Sequence, residues 1–114
     1  MVKRRPAIVV SPRLHYRDHL CTVVPISSSP SVKELGYVVR LEFSPSLPKP
    51  FDYKVSWAKC DMLATVSFDR LDLFRTDRDH TGKRRYLQPK LSELDILRVQ
   101  KGILFALGIK ELPL

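Results

Sequence analysis

The apolar periodicity of this chain changes once along its length, and that change bounds the fold. Up to about residue 91 the apolar residues come in short β-branched runs bounded by proline, serine or charge. Only the last segment carries the three-and-four spacing of an amphipathic helix. AIVVS (7–11) lies between Pro6 and Pro12 and reads as a short buried strand. LCTVVPIS (20–27) and YVVRLEF (37–43) read as the second and third strands. Pro25 cannot donate to a ladder, so the end of the second run is expected at an edge or a bulge. Three prolines, Pro45, Pro48 and Pro50, exclude helix and central strand from that stretch. Residues 55–57 and 61–66 read as further strand segments. Residues 76–88, around Gly82, read as an exposed polar hairpin or loop.

The C-terminal segment opens on Ser92, with Asp95 three residues on, a pattern like a capping box. Ile96, Val99, Ile103 and Leu107 fall on one helical stripe, with Leu97 and Leu104 beside it. Arg98, Lys101 and Gly102 are expected to face the other way, and Gly108 to end the helix. The expected architecture is mainly β with a C-terminal helix at about 92–107, the strands forming a small, strongly bent sheet or barrel.

With 114 residues the chain is long enough for one domain, residues 1–114, and for a core of its own. Hydrophobic residues at 44% and charged residues at 28% argue against wholesale disorder. No apolar run approaches the roughly 18 residues that span a bilayer. The N-terminal apolar stretch is too short for a signal-peptide core, so a cytoplasmic location is expected. Cys21 and Cys60 are expected to be free thiols rather than a disulfide framework.

The net charge of +8 is unevenly placed. Residues 1–20 hold Lys3, Arg4, Arg5, Arg13 and Arg17 against Asp18, a net of +4. Residues 75–90, the basic loop or hairpin, hold Arg75, Arg78, Lys83, Arg84, Arg85 and Lys90 against Asp77 and Asp79, again +4. Two basic segments on a neutral body point to a polyanion surface, nucleic acid before membrane. The plainer alternative is a pair of solvated loops.

Few constellations carry chemistry by themselves. His15, His19 and Cys21 have a spacing that a metal could use on a helix, but the stretch reads as loop and strand, so surface histidines are expected and no metal. A Cys–His nucleophile pair is outweighed by a core role for Cys21. No glycine loop for phosphates is present. Arg4-Arg5-Pro6-Ala7 feeds a strand, where an arginine can bind phosphate bidentately or simply belong to a basic tail. Lys59 and Asp61, two apart on an expected strand, share a face there, as an ion pair or as an acid–base couple for phosphoryl chemistry.

KRRPAIVVSP, then VVPISS about twenty residues on, then WAKCDMLATV and the following DRL, together resemble the successive signatures of the MazF/PemK toxin ribonucleases. The resemblance runs from about Lys3 to Arg70, and the C-terminal helix fits the family's plan. It implies an SH3-like, strongly bent β-barrel acting as a homodimer. It implies the toxin component of a type II toxin–antitoxin system, a metal-independent endoribonuclease that cuts single-stranded RNA, often mRNA, at short sequences. It also implies a cognate acidic antitoxin whose flexible tail blocks the RNA groove. No cofactor is implied.

On this match Arg5 stands where the family has an arginine beside the scissile phosphate, and Ser27 where it has a threonine or serine at a strand end. Lys59 and Asp61 match the basic-x-acidic pair of the PemK branch. The chemistry suits these residue types. The 2′-hydroxyl of RNA is an internal nucleophile, so neither a metal nor an enzyme nucleophile is required. Asp61 is the candidate base, and Arg5 and Lys59 are candidates to stabilise the charged phosphorane. Ser27 can orient a phosphate oxygen. Protonation of the leaving 5′-oxygen falls to Arg5 or Lys59, and a guanidinium is a poor donor at its usual pKa. Lys3, Arg4, Arg13, Arg17, Lys83, Arg84 and Arg85 are the candidate RNA-binding residues.

The chain also departs from the pattern. The family's first strand, and a loop with a glycine and a carboxylate or histidine, normally precede the R-P motif; Met1 stands four residues before Arg5. An open sheet edge is therefore expected. Met62 occupies the place of the family's glutamine, and the basic segment is longer than usual. The alternative function is a non-catalytic nucleic-acid-binding barrel, or a truncated relative that has lost activity.

Overall fold

The computed structural model describes residues 5–12, 16–29, 35–44, 46–71, 74–78, 80–87 and 90–109, with the backbone alone for 74–78 and 84–87. Among the described residues seven strands precede one helix: β1 (Ala7–Val9), β2 (Leu20–Ser27), β3 (Val38–Leu41), β4 (Ser56–Lys59), β5 (Ala64–Ser67), β6 (Phe74–Arg78), β7 (Arg84–Leu87) and α1 (Glu93–Ala106). Short 3-10 turns at Cys60–Met62 and Phe68–Arg70 follow β4 and β5.

β2 organises the sheet. It pairs antiparallel with β1 along one edge, Ile8 opposite Val24. Along the other edge its first half pairs with β5, Cys21 opposite Val66, and its last two residues with β4, Ser27 opposite Trp57. β3 adds to β4, with Val39 opposite Ala58. β2 thus has β1 along one edge and both β5 and β4 along the other. The sheet is not closed: among the described residues β1 pairs only with β2, and β3 only with β4. β1 is half exposed rather than buried, because only Ile8 faces the core. β6 and β7 form a separate two-stranded hairpin whose turn includes Gly82 at φ +85°. This is the polar hairpin expected around that glycine.

Pro25 lies inside β2, opposite Ala7, and not at an edge. Val10 N–H donates to Thr22 C=O and Ile26 N–H to Pro6 C=O, both at 2.9 Å, so the even-numbered residues of β2 bond towards β1. The missing N–H of Pro25 therefore faces the opposite edge. There the 3-10 turn Cys60–Met62 interrupts the ladder between β4 and β5, and among the described residues no strand is paired with Pro25 on that side.

The core collects Ile8, Val24, Ile26, Val39, Leu41, Ala58, Cys60 and Val99. α1 closes it from one side. Its start is as expected: Ser92 Oγ accepts from Asp95 N–H at 3.2 Å. Its end is a Schellman motif, with Gly108 at φ +75°, Gly108 N–H bonded to Phe105 C=O and Ile109 N–H to Leu104 C=O. The buried stripe differs from the expected one. Val99 and Gly102 are buried, whereas Leu97 and Leu107 are 54% and 61% exposed. Gly102 faces inward because Cys60 leaves room there for nothing larger: a Cβ on Gly102 would lie 2.8 Å from Cys60 Sγ. Ser92→Ala removes the cap acceptor and is expected to lower stability by about 1 kcal/mol, measured by urea unfolding.

Candidate active site

The face of the sheet turned away from the core is built by β1, β2 and β4. Ala7 opposes Pro25 and Ile26 N–H bonds Pro6 C=O, so continuing the register sets Arg5 opposite Ser27. Ser27 opposes Trp57 on its other side. Ile26 and Ala58 point into the core, so Ser27, Trp57 and, two residues on, Lys59 point to the other face. Val38 opposes Lys59 and Arg40 opposes Trp57, which adds Arg40 to the same face. Arg5 and Lys59 thus stand on either side of β2, two strand spacings apart and two residues out of level, about 12 Å between their Cα positions. This is a span suited to one phosphodiester and its neighbours.

Each group is held differently. Arg5 is exposed at the entrance to β1. Ser27 Oγ accepts from Ser29 N–H at 3.1 Å, which fixes its rotamer in the turn leaving β2 and leaves its hydroxyl proton to donate outward. Lys59 is half-buried at the end of β4. Arg40 donates to Glu42 Oε1 at 2.8 Å. Trp57 and Arg40 belong to this face and escaped the sequence reading. Their signal was present, since both alternate along their strands with small or apolar residues, Val39 and Leu41 in β3 and Ser56 and Ala58 in β4.

Asp61 departs from expectation. It sits in the 3-10 turn Cys60–Met62 and not on a strand, so the two-residue period that would align it with Lys59 does not apply. It is exposed at the rim, beside the end of β4, and Lys59 and Asp61 form no ion pair among the described residues. The turn is anchored by Cys60 N–H donating to Tyr37 C=O at 2.9 Å. Burial, with Asp61 adding to it, pushes the Cys60 thiol up to about 11, so it stays protonated at neutral pH and is no nucleophile. Cys21 and Cys60 are both free, and both are buried.

Of the expected RNA-binding residues, Arg17 and Lys83 are exposed. Lys3, Arg4, Arg13 and His15 lie outside the described residues, as do the side chains of Arg84 and Arg85 in β7. Among the described residues no three His, Cys, Asp or Glu side chains gather as metal ligands, and no helix is long and apolar enough to cross a membrane.

An open antiparallel β-sheet with a C-terminal helix packed on its core is the fold on which these cations sit, and comparison with known proteins gives its class. Residues 1–103 match the model of the PemK-like, MazF-like toxins of type II toxin–antitoxin systems, and the chain belongs to that family. The solved structure of the Mycobacterium tuberculosis toxin MazF-mt6 superposes with a TM-score of 0.61, at 17% identity, over 94% of this chain and 89% of that one. An uncharacterised Escherichia coli K12 protein, YifN, is 29% identical over 86 residues, 73% of this chain and 56% of that protein. The chain therefore spans little more than half the length of that curated relative.

Proposed function

We propose that the chain is a metal-independent endoribonuclease, the toxin of a type II pair, acting on single-stranded RNA in the cytoplasm. The observation that supports this most is the placing of Arg5, Ser27 and Lys59 on one outer face of β1, β2 and β4, with Asp61 at its rim. In this reading the phosphate rests between Arg5 and Lys59, and the Ser27 hydroxyl donates to a non-bridging oxygen. Asp61 takes the proton of the 2′-hydroxyl, which attacks the adjacent phosphorus and expels the 5′-oxygen. Lys59 is the better proton source for that leaving group, because an ammonium releases a proton far more readily than a guanidinium. Arg5 acts electrostatically on the developing charge. Trp57 offers a stacking surface for a neighbouring base.

A homodimer is the expected assembly, and an acidic antitoxin segment the expected inhibitor, since its carboxylates would compete for the cations that hold RNA. The two basic segments supply the longer-range attraction. RNA affinity should fall with salt, with a log–log slope of roughly −0.7 per phosphate neutralised. Arg84→Ala with Arg85→Ala should flatten that slope in anisotropy titrations across a salt series. An unchanged slope would remove the hairpin from the RNA surface.

A further inference from the structure

The register that joins Arg5, Ser27 and Trp57 continues to the far strand of the sheet. Arg5 stands opposite Ser27, Ser27 opposite Trp57 and Trp57 opposite Arg40, so these residues form one level row across β1, β2, β4 and β3. Their neighbours Ile26, Ala58, Val39 and Leu41 are buried in the core, which puts the row on the outer face. Cation, hydroxyl, aromatic ring and cation follow one another at strand spacing, about 14 Å from end to end. Cys60 N–H donates to Tyr37 C=O, so Tyr37, Val39 and Leu41 carry the ladder to β4. Arg40 and Trp57 are therefore a pair without mutual backbone bonds, the kind whose side chains stand closest.

Arg40 is aimed by Glu42, two residues on, whose Oε1 accepts from its Nη2–H at 2.8 Å. The two side chains are 58% and 55% exposed, and an ion pair so exposed contributes no more than about 1 kcal/mol to stability. Among the described residues nothing else takes the remaining N–H groups of the guanidinium.

We propose that Arg40 binds a second phosphate of the RNA strand, one or two nucleotides from the phosphate between Arg5 and Lys59, so that the strand crosses the sheet from β1 towards β3. The proposal rests on the ribonuclease reading and adds a subsite to it. An aromatic ring between two cations matches the alternation of phosphate and base along a single strand, with one base stacked on Trp57 between the two phosphates. A guanidinium can take two oxygens of one phosphate, which fixes the course of the strand as an ammonium would not. Glu42 holds the fork along β3, and its own charge weakens the hold on the phosphate. Removing that charge alone should tighten binding.

The test uses one oligonucleotide drawn from a randomised single-stranded RNA pool by the wild-type chain, through cutting or, failing that, through binding. A series of it carries one neutral methylphosphonate linkage at a time. In the wild-type chain, neutralising one linkage near the one held between Arg5 and Lys59 should weaken binding about 10-fold. In Arg40→Ala the unmodified strand should bind about 10-fold more weakly, and neutralising that linkage should change nothing further. The log–log salt slope of Arg40→Ala should be shallower by roughly 0.7. Glu42→Gln should bind about 3-fold more tightly. Thermal melts should be nearly unchanged; if Arg40→Ala does not fold, Glu42→Gln decides, tighter binding supporting the subsite and unchanged binding overturning it. Cut RNA with the same methylphosphonate profile in wild type and Arg40→Ala overturns the subsite and leaves the ribonuclease. A profile that loses one position in Arg40→Ala, with no strand cut, supports the subsite and overturns the ribonuclease. A pool neither cut nor bound overturns both.

Discussion

Arg5→Ala is expected to lower RNA cleavage by about 100-fold or more, and Lys59→Ala and Asp61→Asn each by a similar factor. The size follows from their proposed roles. Removing one preorganised charge aimed at a developing oxyanion costs about 100- to 1,000-fold in related chemistry. Loss of a positioned base or acid costs about 100- to 10,000-fold. Binding should separate Arg5→Ala from Asp61→Asn. Arg5→Ala loses a phosphate contact and binds RNA more weakly. Asp61→Asn removes a negative charge from the rim and binds as well or better while cutting slowly. Both side chains are exposed, so the folded state should tolerate the changes. Single-turnover cleavage and anisotropy on one oligonucleotide give both numbers. Cleavage that persists in Asp61→Asn would take the base role from Asp61 without removing the enzyme. RNA bound tightly but never cut would favour a non-catalytic binding module.

Gly102→Ala is expected to destabilise the fold, against the ordinary preference of helices for alanine. That preference favours the substitution by about 1 kcal/mol. Here the added methyl would meet Cys60 Sγ at 2.8 Å and Val39 Cγ2 at 3.1 Å. Cys60 cannot yield easily, since it is 1% exposed and its Sγ lies 3.6 Å from Val99 C=O. Overpacking of this kind costs about 1–3 kcal/mol, so a net loss of up to about 2 kcal/mol is expected in urea unfolding. Cys60→Ala should cost less in the Gly102→Ala background than in the wild-type chain, because the methyl then fills the place of the sulfur. A Gly102→Ala chain more stable than wild type would mean that α1 does not approach the 3-10 turn this closely. The same contact bears on the candidate site, since the turn that packs under Gly102 also carries Asp61.

These two regions also show what the sequence could and could not disclose. The ends of α1 were legible because their signals are local: Ser92 caps its own first turn, and Gly108 adopts the positive φ that ends the helix. The buried stripe was legible only in part. Gly102 carries no hydropathy, and its inward position is dictated by a sulfur some forty residues away. Pro25 read as the sign of an edge or a bulge because proline lacks a donor. What permits it in the middle of β2 is a break in the partner ladder, made by residues 60–62. That same break moved Asp61 off the strand alternation that had aligned it with Lys59. Arg5, Ser27 and Lys59 share a face through strand register, a non-local property that the order of the motifs implied but their spacing did not contain.

In the proposed function this outer face cuts RNA by using the substrate's own 2′-hydroxyl. It is tested most directly with two oligonucleotides that differ only by 2′-deoxyribose at the scissile position, each incubated in the presence of a chelator. The all-ribose strand is expected to be cut to a product ending in a 2′,3′-cyclic phosphate, and the deoxy-substituted strand to bind equally well and remain intact. Cleavage of the deoxy-substituted strand at the same position, or loss of all cleavage on chelation, would contradict the account.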